Sequence, residues 1–311
     1  MRIAITGGAG FIGKYLVRAH LERGDEVRLL SRSHQNTNNN LNVIIGDLQN
    51  DQFDFTKFVN NADVLYHCAG ELRDESRMES LHVFGTERLV NAAAGRVGRW
   101  VQLSSVGAYG KQRYGHVNET TLEDPVGVYE VTKTQSDHIV IKTAESAGME
   151  YVILRPSIVF GEGMTNRSLY QMVEMIRRRL FFYIGKPGAI MNYIHVTDVV
   201  SALLMCGLNA NANKNTYILS DNIELEEMVM AISQGLDIQS PSIRLPEWFV
   251  RLVIKVLQPV PKFPLSESRV DALTGRAYYD STKIMDELNY HNSVTLVEAF
   301  REFAITTTNK K

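Results

Sequence analysis

The 311-residue chain is short of several things, and each shortage excludes something. It has two cysteines, Cys68 and Cys206, both in apolar contexts and neither with ligand-like neighbours. That argues against a disulfide framework or a cysteine metal site and predicts two buried free thiols. Charge of one sign is not in excess, since 33 Lys and Arg against 35 Asp and Glu leave a formal net charge of −2. No global field points to nucleic acid. Long hydrophobic runs are missing too. The most apolar later stretch, WFVRLVIKVL from Trp248 to Leu257, is interrupted by Arg251 and Lys255 and is too short to span a bilayer. The first residues run straight into a strand pattern, with no charged region, apolar stretch and cleavage site in series. A soluble cytoplasmic protein with no metal is expected.

What is present is enough apolar material, 44% of residues, for a large core and about two domains. The first half alternates short apolar runs with helical patterns. The runs are Arg2 to Thr6, Glu26 to Ser31, Asn42 to Leu48, Asp63 to Gly70, Arg99 to Ser105 and Tyr151 to Val159. They are nearly continuous hydrophobics, as in strands buried on both faces of a parallel sheet. The fold class expected is α/β: a doubly wound parallel sheet over residues 1–160, with a smaller C-terminal α+β domain over 161–311. Residues 190–210 are expected to pack back on the first domain. The later half is loop-rich, with a short strand ending at Ser220 and prolines at 241, 246, 259, 261 and 264. The Asn-rich patch His34 to Asn42 reads as a surface loop.

The stretch TGGAGFIG places Gly7, Gly10 and Gly13 between the first strand and the first helix. The first glycine permits the tight turn, the second lets backbone approach a pyrophosphate, and the third lets helix and strand pack closely. The anion then sits at the helix N-terminus. A dinucleotide with a free ribose 2′-OH usually meets an acid at the end of the second strand. Here EVRLLSRS offers Ser31 and Arg32, with Ser33 and His34 following. No carboxylate repels a 2′-phosphate and a guanidinium is at hand to bind it, so NADP is favoured over NAD. Asp47, in GDL after the third strand, is a candidate for the adenine end.

VYEVTK holds Tyr129 and Lys133 at i, i+4, on one face of a helix. An ammonium beside a phenol favours phenolate, so Tyr129 is expected to titrate below its ordinary value of about 10 and to act as general acid or base. Ser104 and Ser105 end a parallel strand, where side chains face the ligand crevice, and Ser105 is the candidate for orienting a reacting oxygen. Tyr279 and Lys283 repeat the spacing in YYDSTK. That pair follows the sheet, with Asp280 or Ser281 as a helix cap, and is not expected to be catalytic.

With these residues in place the chain resembles an extended short-chain dehydrogenase/reductase of the NAD-dependent epimerase/dehydratase type. The stretches that carry the resemblance are TGGAGFIG, GDL, HCAG, FGTERLVNAA, LSSVGAYG, VYEVTK, LRPSIVFGEG, YIHVTDV and YYDSTKIMDELNY, in the family's order over almost the full length. The resemblance implies a Rossmann domain and hydride transfer at a nicotinamide. Tyr129 would be the proton donor or acceptor. Ser105 would orient the substrate oxygen, and Lys133 would lower the tyrosine pKa and hold the ribose. Phe11, Ile12, Leu48, Cys68, Ala69, Gly70 and Pro156 would line the cofactor. Two departures stand out. His82 occupies a position where many relatives have Asn, and is read as structural with little effect. Ser157 stands where sugar-nucleotide epimerases often have Asn, which weakens any transfer of substrate contacts.

In the family the second half holds the substrate. A sugar nucleotide's diphosphate needs Arg or Lys, and Arg167, Lys186, Arg269 and Arg276 are the candidates, Arg269 first. The Arg177–Arg179 run reads as a solvated helix end, with a diphosphate or a membrane surface as the alternative it could face, and Trp248 to Leu257 as an amphipathic helix, with a lid over an apolar substrate or a membrane contact as the alternative. The leading expectation is an NADP-dependent reductase of a keto sugar nucleotide. Behind it stand a sugar-nucleotide epimerase, a dehydrogenase of hydrophobic alcohols or steroids, and a non-enzymatic sensor. A homodimer through helices near 85–94 and 129–147 is a further expectation.

Overall fold

The computed structural model describes residues 1–34, 40–257 and 265–309. Most of the Asn-rich patch, and Pro259, Pro261 and Pro264, lie outside the described residues. Five strands open the chain: β1 (Arg2–Thr6), β2 (Glu26–Ser31), β3 (Leu41–Ile45), β4 (Ala62–His67) and β5 (Val97–Leu103). Strands Glu150–Pro156 and Asn215–Leu219 complete one seven-stranded sheet. From one edge to the other the order is Asn215–Leu219, Glu150–Pro156, β5, β4, β1, β2, β3. Every neighbouring pair is parallel. The chain builds outward from β1 in one direction and then, from β4, in the other. The crevice at this reversal is where a doubly wound sheet binds ligand.

The near-continuous hydrophobic runs have a direct cause. Side chains alternate faces along a strand, and both faces here are covered. Ile3, Ile5, Val64, Tyr66, Val101 and Leu103 join one core with Leu16 and Val17 of α1 (Phe11–Glu22). Ala4, Leu65, Trp100 and Ile153 face the other, with Phe58, Leu89, Val140 and Ala144.

Two boundaries differ from expectation. The GDL after β3 is turn rather than strand, with Asp47 Oδ1 accepting from the Gln49 N–H at 2.9 Å. The run around Thr216 to Ser220, read as part of the later half, is the seventh strand of the main sheet, Asn215–Leu219, beside Glu150–Pro156.

The helix Val196–Leu208 lays Val199, Ala202, Leu203 and Cys206 into the core shared by β1 and β5. Its C-terminal carbonyls are collected by one side chain. Arg99, on β5, donates from Nη1 to the carbonyls of Cys206 (3.1 Å), Gly207 (3.3 Å) and Asn209 (2.6 Å), and from Nε to Glu150 at 2.7 Å. A cation at a helix C-terminus also complements the dipole.

The remaining strands are short. Ile158–Phe160, Ile190–His195 and Asp221–Glu224 form a three-stranded sheet over a separate core containing Phe160, Leu169, Val173, Met228, Ile232 and Phe300. Arg276–Tyr279 pairs in parallel with Tyr114–Val117, so the late chain is stitched to the loop that precedes the helix Val128–Ala147.

Arg99→Met keeps the volume and removes the donor. It leaves buried helix-end carbonyls unpaired and should cost about 2–4 kcal/mol. A urea unfolding midpoint that falls with unchanged slope checks this; an unchanged midpoint would show that the helix end does not need its cap.

Candidate functional site

The glycine turn is built by contact. Gly7 has φ +69°, and a Cβ there would lie 2.6 Å from the Cys68 carbonyl and the Ala69 nitrogen. A Cβ on Gly13 would lie 2.1 Å from the Gly7 oxygen. The Gly10 N–H closes the turn on Gly7 O at 2.9 Å. α1 then begins with no side-chain cap and no acid in its first turn. Free N–H groups with nothing anionic beside them suit a pyrophosphate, so these residues fit the dinucleotide that the glycine spacing implies. Phe11 and Ile12 sit on that first turn.

The wall opposite is fixed by buried polar contacts. His67 Nδ1 meets Thr6 Oγ1 at 2.7 Å, its Nε2 meets Thr86 Oγ1 at 3.0 Å, and the Ala69 N–H donates to Thr6 Oγ1. Cys68, Ala69 and Gly70 are thereby held against the glycine turn. Both thiols are free, Cys206 buried and Cys68 partly so, and burial pushes each up to about 12. At the end of β2, Ser31 Oγ donates to Ser33 O at 2.7 Å. Arg32 is exposed, with no hydrogen bond or ion pair among the described residues. Leu48 is buried and its carbonyl accepts from Arg88 at 2.5 Å.

The helix Val128–Ala147 brings Tyr129, Lys133 and Asp137 onto one face. Ser105 Oγ accepts the Gly107 N–H at 3.1 Å, which leaves its own proton for the Tyr129 phenol. Lys133 is buried and its Nζ donates to the Leu103 carbonyl at 2.7 Å. Asp137 is fully buried and accepts from Ser104 Oγ (2.6 Å) and from Arg155 Nε (3.2 Å) and Nη2 (3.1 Å). Arg155 continues to Glu123 at 2.5 Å and lies over the Tyr109 ring.

The electrostatics correct one expectation. Burial pushes the Tyr129 phenol up to about 12, and the carboxylates of Glu130 and Asp137 push the same way. The Ser105 hydrogen bond lowers it, but not enough. The Lys133 ammonium is engaged with the Leu103 carbonyl, and its own pKa is lowered by burial against the support of Asp137. In this state the phenol is neutral at physiological pH rather than poised to ionise.

His82, read as structural, lies close to the catalytic helix. It is buried on a π-helical turn, Glu79–Gly85, and its ring stands edge-on to Tyr129 with centroids 5.7 Å apart. Asp137 and Arg155, absent from the candidate site as read from sequence, lie directly behind Lys133. Asp137 at i+4 from Lys133 was the available signal. Pro156 is buried at the strand end, and Ser157 Oγ beside it is buried with no hydrogen-bond partner among the described residues. The second Tyr-x-x-x-Lys pair is split between elements. Tyr279 ends a strand, Lys283 Nζ donates to Thr216 O at 3.1 Å, and Asp280 accepts the Thr282 N–H at the start of the helix Thr282–Leu288, whose N-cap is Ser281.

Of the candidate anion ligands, Arg167 and Arg269 line one open groove of about 1180 Å³, together with Arg73 and Arg178. Arg269 donates to Gln171 there at 2.7 Å. Arg276 is not in it: its guanidinium is spent on the Gly188 and Pro187 carbonyls. None of Ser105, Tyr129 and Lys133 lines this groove.

The model for the NAD dependent epimerase/dehydratase family matches residues 3–219. The chain belongs to that family. It is an enzyme of the extended short-chain dehydrogenase/reductase type, dependent on a nicotinamide dinucleotide. It is 25% identical to a UDP-glucose 4-epimerase of Vibrio cholerae over 97% of this chain and 94% of that one. It is equally 25% identical to the 4-hydroxy-2-methyl-3-oxo-4-farnesyl-3,4-dihydroquinoline-1-oxide ketoreductase of Stigmatella aurantiaca, over 95% of this chain and 93% of the other. In fold it matches the UDP-glucuronic acid 4-epimerase of Bacillus cereus in complex with NAD, with TM-score 0.76, 17% identity and 99% of both chains covered.

The raised phenol is directly measurable. Ultraviolet difference titration of the cofactor-free protein against Tyr129→Phe should show the extra ionisation only above about pH 11, beyond the ordinary tyrosine range. A step near neutrality would contradict the arrangement described.

Proposed function

We propose that this enzyme reduces the keto group of a nucleotide sugar, drawing its reducing equivalent from NADPH. The observation that carries the substrate class is the groove. Four guanidiniums, from Arg73, Arg167, Arg178 and Arg269, line it beside one carboxylate, Glu174. Glu174 is already bonded to Arg177 and Arg178. Such a surplus of planar donors suits a diphosphate. The NADP preference rests on the exposed Arg32 and on Ser31, where a 2′-OH-binding acid would stand.

A bound nicotinamide supplies the hydride. The chain's own residues do the rest. Ser105 O–H holds the carbonyl oxygen of the substrate. The neutral Tyr129 phenol gives that oxygen its proton as the carbon receives hydride, and the resulting phenolate is reprotonated from solvent. Lys133 has N–H groups beyond the one given to Leu103, and these serve the nicotinamide ribose. A phenol that stays protonated favours the reductive direction, whereas oxidation needs the phenolate. Reduction is therefore flat with pH below the phenol pKa, and oxidation climbs as pH rises toward it.

A hydrophobic ketone is the second reading, with one observation for it. Trp248, Leu252 and Val256 form an exposed apolar stripe on the helix Glu247–Leu257. That helix contributes nothing to the lining of the arginine groove, so the nucleotide reading stands ahead.

Mass identification of the nucleotide and sugar nucleotide retained on purification tests the substrate class. Turnover with no added reduced cofactor would replace reduction by epimerisation. Tyr129→Phe should lower kcat by about 10²–10⁴ on the identified substrate. Arg32→Ala should raise the KM for NADPH about tenfold or more, the worth of one charge-assisted contact, while leaving that for NADH unchanged.

A further inference from the structure

Arg73 stands on the loop after β4, and that loop is shaped by two acceptors. The Glu71 carboxylate collects three consecutive backbone N–H groups, from Leu72 (2.9 Å), Arg73 (2.9 Å) and Asp74 (3.3 Å). The Glu71 N–H donates to His82 Nε2 at 2.8 Å. The turn so formed holds Arg73 out across the cleft, where its Nη2 donates to the Thr165 carbonyl at 3.1 Å. A carbonyl does not neutralise a guanidinium. Among the described residues Arg73 has no ion pair, and it opens onto the same groove as Arg167, Arg178 and Arg269.

His82 faces the catalytic helix with its other nitrogen. Nε2 accepts from Glu71, so Nδ1 carries the proton and donates it to Thr132 Oγ1 at 2.8 Å. The Thr132 hydroxyl in turn donates to the Val128 carbonyl at 2.7 Å. Each ring nitrogen thus has one fixed duty, and the ring edge rests on Tyr129. Burial, aided by the Lys133 charge, holds the imidazole near 3, so the acceptor at Nε2 persists throughout the physiological range.

We infer that His82 is a positioning residue that hangs the anion-binding arm Arg73 on the catalytic helix, so that the substrate's phosphate end and the Tyr129 end are set by one side chain. This rests on the nucleotide-sugar reading for the identity of the anion. It adds Arg73 as a specificity-determining residue supplied by the dinucleotide-binding half of the chain.

The test uses inorganic pyrophosphate, titrated calorimetrically into protein saturated with NADPH so that the glycine turn is already filled. Arg73→Ala should weaken pyrophosphate binding on the order of tenfold, the loss of one charge-assisted contact. His82→Phe keeps the packing on Tyr129 and removes both hydrogen bonds, and it should weaken binding about as much. The double variant should be no weaker than either single one, because both act through the same arm. His82→Gln retains an acceptor for the Glu71 N–H and should restore binding to within about threefold of the wild type. If His82→Phe does not fold, His82→Leu, which likewise removes both ring nitrogens, runs the same cycle. Wild-type binding that survives His82→Phe overturns the inference alone, as do losses that multiply to about a hundredfold in the double variant. No pyrophosphate binding by the wild type overturns the nucleotide-sugar reading together with it.

Discussion

A fully buried carboxylate organises the site. Asp137 is 0% exposed, and an isolated charge in that position would be prohibitively costly. It is tolerated because Arg155 comes from the next strand and Ser104 from the end of β5. Lys133, one turn up the same helix, shares the field. The cluster therefore fixes helix Val128–Ala147 against two strand ends at once. Tyr129 inherits its position from that fixation, as Ser105 does from the residue before it. The cost is a hard constraint: without Arg155 the buried Asp137 carboxylate keeps only the Ser104 hydroxyl as a hydrogen-bond donor.

That constraint also explains why the phenol is not lowered. A lysine near a tyrosine lowers the phenol only where its attraction for phenolate outweighs desolvation and nearby carboxylates. Here burial is the largest effect, and Glu130 and Asp137 push the phenol the same way, while the ammonium is directed at the Leu103 carbonyl. Spacing in sequence placed Tyr129 and Lys133 on one face correctly. It carried no information about Glu130 next door or about the desolvation of the whole face.

The fold was legible wherever backbone geometry forces residue type. Glycines at 7 and 13 are required by contacts closer than any Cβ permits, and buried strands must be apolar on both faces. Hence the doubly wound sheet and its glycine turn could be read directly. The seventh strand could not, since a five-residue apolar run carries no mark of which sheet it will join. His82 reads as structural, but its partners were not legible: the π-helical turn that points its nitrogens at the Glu71 N–H and Thr132 leaves no periodic signature.

The glycine turn and the arginine groove differ in kind. The cofactor end is made of backbone: a turn, a helix N-terminus and a strand end, which almost any relative must preserve in shape. The groove is made of long side chains from separate places, Arg73 after β4 and Arg167, Arg178 and Arg269 from the later half. Each is exposed, and none is required by packing. Substitutions there cost the fold little, so the groove is free to change its ligand while the sheet stays the same. A family of one architecture and several substrates follows from that division.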